Sequence, residues 1–195
     1  MTNDRLRSVL DRIDDENRSD PTLDKDGTQR VPKALLYGQR MTAWLHRLLP
    51  DPSDALQIAV RGQHIGRWNI PRSDYPANRG GYLAWRTRLY GYHADRVTAI
   101  MRTAGYDEAT IEQAARIIAK KGLRQDPEVQ ALEDVACLVF LNYEFARFAA
   151  EHPREKIIDI VRKTWNKMSE QGRAAALSLQ LPEPLADIVQ DALSG

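Results

Sequence analysis

Residues 126–152 read DPEVQALEDVACLVFLNYEFARFAAEH. Asp126 can accept hydrogen bonds from the open N–H groups of a first helical turn, and Pro127 suits the first helical position, where no N–H is needed. From Val135 to Leu141 the side chains are continuously apolar. A helix with no polar side cannot face water, so this one is expected at the centre of its fold. Working outward, helical period recurs in every apolar segment and no segment alternates convincingly with period two. The expected fold is all-α: one domain over residues 1–195, built as a bundle of about seven to nine helices.

Toward the carboxyl end, helices are expected over 154–168, carrying Ile157, Ile158, Ile160, Val161 and Trp165, and over 183–194, carrying Leu185, Ile188, Val189 and Leu193. Toward the amino end a helix over 107–121 carries Ile111, Ala114, Ile117 and Ile118 and closes on Lys120, Lys121 and Gly122. A long helix from Tyr82 to Ala104 ends at Gly105. Asp51 or Ser53 can cap a helix over 54–67, on which Arg61, His64 and Trp68 form one stripe. Another starts near Pro32 and stops at Pro50, and residues 3–16 form a short amphipathic helix. The polar cluster NRSDPTLDKDGT between these last two reads as a solvated loop or, since Asp14, Asn17 and Asp20 fall close together, as a lid over a site. Residues 1–28 would then be a peripheral helix and lid.

The chain carries a net charge of +1, but its basic residues are not spread evenly. Val60–Thr103 holds eight arginines against two aspartates, a formal +6, with Trp68, Tyr75, Tyr82, Trp85, Tyr90 and Tyr92 interleaved. A guanidinium fork matches carboxylate and phosphate oxygens and stacks on aromatic faces. The expected partner is therefore an anionic small molecule, a nucleotide or RNA. Arg67, Arg72, Arg79 and Arg86 flank the proline-bounded loop and are expected to contact it, with Tyr82, Lys120 and Gln130 nearby and Trp68 or Trp85 as a stacking surface.

One cysteine, Cys137, allows no internal disulfide and no cysteine-rich zinc site. No apolar run approaches the roughly 20 residues of a membrane span, and the polar amino terminus lacks the apolar core of a secretory signal, so a cytoplasmic protein is expected. Phosphate loops, dinucleotide fingerprints, HExxH, paired CxxC and GxSxG are absent from the sequence. His64, His93 and the acidic pair Glu133 and Asp134 remain. A carboxylate in an apolar helix needs a cation or a hydrogen-bonding partner, because stripping water from its charge costs several kcal/mol. His64, His93 and Asp134 are accordingly expected to hold a divalent metal ion, with Glu133 behind Asp134 or the two carboxylates in exchanged places, and both Glu133 and Asp134 are the expected catalytic groups. The favoured function is a metal-dependent hydrolase of a nucleotide or other phosphate ester. The alternatives are a ferrous-iron oxygenase with the same ligands and a non-enzymatic nucleotide- or RNA-binding module.

The order His64, His93, Asp134 on successive helices resembles the metal-binding layout of the histidine-aspartate phosphohydrolase superfamily, which implies a helical metal-dependent core. In this chain Ala94 follows His93 where that pattern has its bridging aspartate, and Asp95 comes one position late. More specifically, QHIGRWNIPRSDYP, GYLAWRTRLYGYH, GLRQDPEVQALEDVACLVFLNYEF and IVRKTWNKMS are similar to the blocks of the domain of unknown function 4202 family. That resemblance spans nearly the whole chain and implies a single helical domain. A glutamyl-tRNA synthetase label carried by some members finds no support here, since the chain has neither the length nor the nucleotide-binding signatures of such an enzyme.

Overall fold

The computed structural model describes residues 2–194, with side chains from Asp4 onward. Ten α-helices lie among the described residues, together with one small hairpin, so the chain is all-α in class. It divides into two compact units, Met1–Gly122 and Leu123–Gly195.

In the first unit, α1 (Thr2–Asn17) buries Val9 and Ile13. The expected loop or lid after it contains a two-stranded antiparallel hairpin, β1 (Leu23–Asp26) with β2 (Gln29–Pro32), turned at Gly27 with φ of 59°. Asp-Gly between short strands is the turn signal that points to it. The hairpin returns the chain to α2 (Lys33–Leu48). Pro32 cannot cap that helix, and Asp20 substitutes: its carboxylate accepts from Ala34 N and Thr22 N, both at 2.9 Å. Ser53 caps α3 (Asp54–Gly62) by accepting from Leu56 N. Asn78 caps α4 (Arg79–Thr103), and Asp107 caps α5 (Glu108–Ile118).

Helices α1 and α4 run antiparallel. Arg5 near the start of α1 donates to Gly105 O just past the end of α4, while Glu16 at the other end accepts from Arg96. Between these ties Gly62 of α3 comes close to both. A Cβ on it would lie 2.4 Å from Val97 Cγ2 and 3.5 Å from Ile13 Cδ1, so α3 seats on this layer only because the residue is glycine. Each fully buried Ile, Leu or Met in the unit, among them Ile13, Met41, Leu45, Ile58, Met101 and Ile117, adds about 1.5–3 kcal/mol of transfer free energy.

In the second unit, α6 (Pro127–Val139) is capped by Asp126 as expected and buries nine of its 13 residues. A π-helical stretch, Phe140–Glu144, joins it to α7 (Phe145–Glu151), and α8 (Arg154–Trp165) follows. The sequence reading leaves 169–182 without a helix, but α9 (Glu170–Leu177) lies there, ahead of α10 (Glu183–Ser194). Only Gly172 and Ala176 of α9 are buried, too thin a stripe for periodicity to reveal; its one signal is the cap Ser169.

Candidate functional site

The helix expected over 54–67 ends at Gly62, so His64 stands in a turn and not on a helical stripe with Arg61 and Trp68. The turn has a cause. Gly66 adopts φ of 62°, and a Cβ there would lie 2.8 Å from Tyr92 Oη, so the chain bends sharply and passes directly against α4. That approach brings two histidines together, their ring centroids 6.1 Å apart. His93 is buried, and its Nδ1 lies 2.8 Å from Ile65 O. A carbonyl oxygen only accepts, so Nδ1 carries the hydrogen and Nε2 the lone pair of a neutral ring. Nε2 is buried with no hydrogen-bond partner. His64 stacks on Tyr37 at 3.8 Å between centroids, and the Tyr37 hydroxyl donates to Gln63 Oε1.

Burial pushes His93 down to about 4, with the Ile65 hydrogen bond opposing and Arg67 assisting. Burial likewise drives His64 well below the ordinary histidine range. The charges that deepen its shift are all positive: Arg67, His93, Lys120 and Lys33. Arg67 thus acts on both imidazoles, and Lys120 and Lys33 act on His64. Lys120 reaches this position from an unusual backbone. It occupies the left-handed residue after α5, φ 54°, with Lys120 N bonded to Ile117 O and Lys121 N to Arg116 O. That is the glycine position of a helix-ending Schellman turn, and a side chain there costs about 1 kcal/mol.

The other arginines of the segment are largely engaged in structure. Arg61 forms a two-bond pair with Asp14 and also donates to Thr42 Oγ1. Arg96 pairs with Glu16, and Arg102 with Glu108. Arg72 donates to Tyr75 O and Pro76 O, bracing the proline loop, and Arg86 donates to the Tyr90 hydroxyl. Arg67 lies 4.6 Å above the Trp85 ring, whose Nε1 donates to Ile70 O. Trp68 is half-buried, and Arg79 and Tyr82 are exposed.

Glu133, Asp134 and Gln130 belong to the second unit. Glu133 and Asp134 are both buried, as the cost of desolvating carboxylates in an apolar helix demands they be partnered. Glu133 faces Lys167 Nζ at 3.7 Å. Asp134 accepts from Ser169 N, Ser169 Oγ and Gln130 Nε2, and thereby fixes the start of α9. Gly172 completes that seat, since a Cβ on it would come 2.6 Å from Asp134 Cγ. Asp134→Ala should cost about 3 kcal/mol in urea unfolding, because it strands buried donors. Asp134→Asn, which keeps a carbonyl oxygen for two of them, should cost about half as much. Equal losses in the two variants would show that the charge, and not the hydrogen bonds, is what α9 needs.

The expected metal site needs a carboxylate beside the two imidazoles. Among the described residues no three His, Cys, Asp or Glu side chains gather as metal ligands. Asp95, one residue past the superfamily's aspartate position, is exposed on α4.

A family model described as "Domain of unknown function (DUF4202)" matches residues 7–189. The chain belongs to this family. Comparison with curated proteins and with solved structures gives no match. In this DUF4202 chain no helix among the described residues is long and apolar enough to cross a membrane.

Sequence reasoning reaches His64, His93, Arg67 and Lys120 but misses Tyr37, Gln63 and Lys33. Tyr37 and Gln63 read as ordinary helix residues, because nothing local reveals that a turn at Gly66 brings His64 over α2.

Proposed function

We propose that this chain binds a small phosphate-bearing anion, a nucleotide or another phosphate ester, at His64, Arg67, His93, Lys33 and Lys120. The observation that carries this reading is the pairing of two imidazoles 6.1 Å apart, one of them with a buried unpartnered Nε2, where the charge of Arg67 acts on both rings and those of Lys120 and Lys33 on His64. Lysine and arginine side chains beside neutral imidazoles present the donors that a phosphate-bearing anion takes.

A hydrolase is the second reading, favoured by the unpartnered lone pair of His93 Nε2. A neutral imidazole beside bound phosphate can take a proton from an attacking water.

Calorimetric titration with inorganic phosphate and with adenosine monophosphate at low salt tests the binding. Lys120→Gly is expected to leave the melting temperature equal or higher while weakening both ligands about tenfold, the scale of one charged contact. Arg67→Gln should weaken them similarly. Unchanged affinity in both variants, or no binding by the parent chain, would contradict the assignment. A steep salt dependence seen only with RNA would move the function to the exposed arginines.

A further inference from the structure

Asn17, which in the sequence reads only as part of a polar loop or lid, is the last residue of α1. It is 1% exposed, and neither its Oδ1 nor its Nδ2 has a hydrogen-bond partner. Leaving a buried amide unpaired costs about 1–3 kcal/mol per group, so a folded chain keeps one only with compensation elsewhere.

Its position follows from the antiparallel pairing of α1 and α4. Ile13 and Val97 meet at Gly62. Asn17 lies four residues beyond Ile13, and His93 lies four residues back from Val97. Because residue numbers rise along α1 as they fall along α4, both steps move one helical turn in the same direction. They arrive at the level of Gln63, His64 and Ile65, the residues after Gly62, where His93 already bonds Ile65 O. Two buried side chains with unmet hydrogen-bonding groups thus stand at one level of the paired helices, at the height of the His64 turn.

Their unmet needs are specific. His93 Nε2 requires a donor, Asn17 Oδ1 requires a donor, and Asn17 Nδ2 offers hydrogens to an acceptor. A vicinal diol supplies all three: two O–H groups donate and their oxygens accept. We infer that Asn17 and His93 form the sugar-recognising half of the anion site, and that its ligand is a phosphate ester carrying adjacent hydroxyls, such as a ribose phosphate. This rests on the phosphate-binding reading given above for His64, Arg67, Lys33 and Lys120.

Calorimetry of the full chain with inorganic phosphate, ribose 5-phosphate and 2-deoxyribose 5-phosphate separates the two claims. The expected order is ribose 5-phosphate tightest, with the deoxy sugar about tenfold weaker, one lost hydrogen-bonded hydroxyl. Asn17→Leu, which removes the unpaired amide at similar volume, should raise the melting temperature, leave inorganic phosphate unchanged and abolish the preference for ribose over deoxyribose. If inorganic phosphate binds but the two sugars bind equally, or Asn17→Leu retains the preference, the sugar assignment is overturned and the phosphate site stands. If inorganic phosphate fails to bind, the phosphate reading falls and this inference loses its anchor. Should Asn17→Leu not fold, the parent chain still decides. Ribose 5-phosphate is expected to shift the His93 Nε2 nitrogen resonance further than 2-deoxyribose 5-phosphate does, in the direction of a hydrogen-bonded lone pair, and equal shifts with the two sugars would overturn the proposal.

Discussion

Arg61→Ala is expected to destabilise the protein by about 3–5 kcal/mol, the cost of leaving a buried charge without its partner. Asp14 is 6% exposed, and its carboxylate is held by Arg61 Nε at 2.7 Å and Nη2 at 2.6 Å. The same guanidinium donates to Thr42 Oγ1 of α2, so one side chain links α1, α2 and α3. Truncation strands the Asp14 charge and leaves a hole where the arginine stem lay against Gly38. Arg61→Lys keeps the charge but loses the two-bond fork, and should fall between alanine and parent. The double variant Asp14→Asn/Arg61→Met removes both charges and should recover much of the loss, as paired buried charges generally allow. Urea unfolding gives these differences. A loss below about 1 kcal/mol for Arg61→Ala would place the pair among weak surface ion pairs.

Acidification gives the second large effect. His93 is held at about 4 in the folded chain, against an ordinary value of 6.5, because burial disfavours its charged form. Between these values the unfolded chain binds a proton that the folded chain refuses, so stability rises with pH through the window and falls as the solution is acidified from about 6.5 to 4. The shift corresponds to about 3 kcal/mol for this one group, fully lost below pH 4. His64 acts in the same direction, lowered by burial and by Arg67, Lys120 and Lys33. Urea midpoints from pH 4 to 8 should show this slope in the parent and a shallower one in His93→Gln. Equal slopes would mean that His93 is not held neutral by its surroundings.

What is legible in the sequence is what is local. Caps, apolar stripes and stop signals depend on residues within a turn or two, so α1, α2, α4, α5, α6, α8 and α10 can be placed from Asp126, Pro127, Pro50, Gly105 and their stripes. The burial of Glu133 and Asp134 can also be foreseen, since their neighbours leave no exposed face. Their partners cannot, because Ser169 caps a helix too short to show a period. His64 stands out in the sequence, but its spacing from Arg61 and Trp68 assigns it to the wrong element. A glycine whose φ is positive and whose Cβ would strike Tyr92 appears in sequence only as one glycine among 11. Asn17 falls one residue beyond the expected end of the first helix, and the structure makes it the last residue of α1. It continues the buried series Val9 and Ile13 at helical spacing, which places its side chain inside the fold.

Binding of an anion against the two imidazoles, among Arg67, Lys33 and Lys120, is tested most directly by a pH titration of the His64 and His93 ring signals by NMR. The titration is run with and without sulfate, a phosphate mimic that keeps its charge over the whole range. Sulfate bound there favours the charged imidazolium, so both histidines should titrate at higher pH in its presence, and Lys120→Gly should reduce the displacement. Ring titrations that stay where they are at saturating sulfate would contradict an anion site at these histidines.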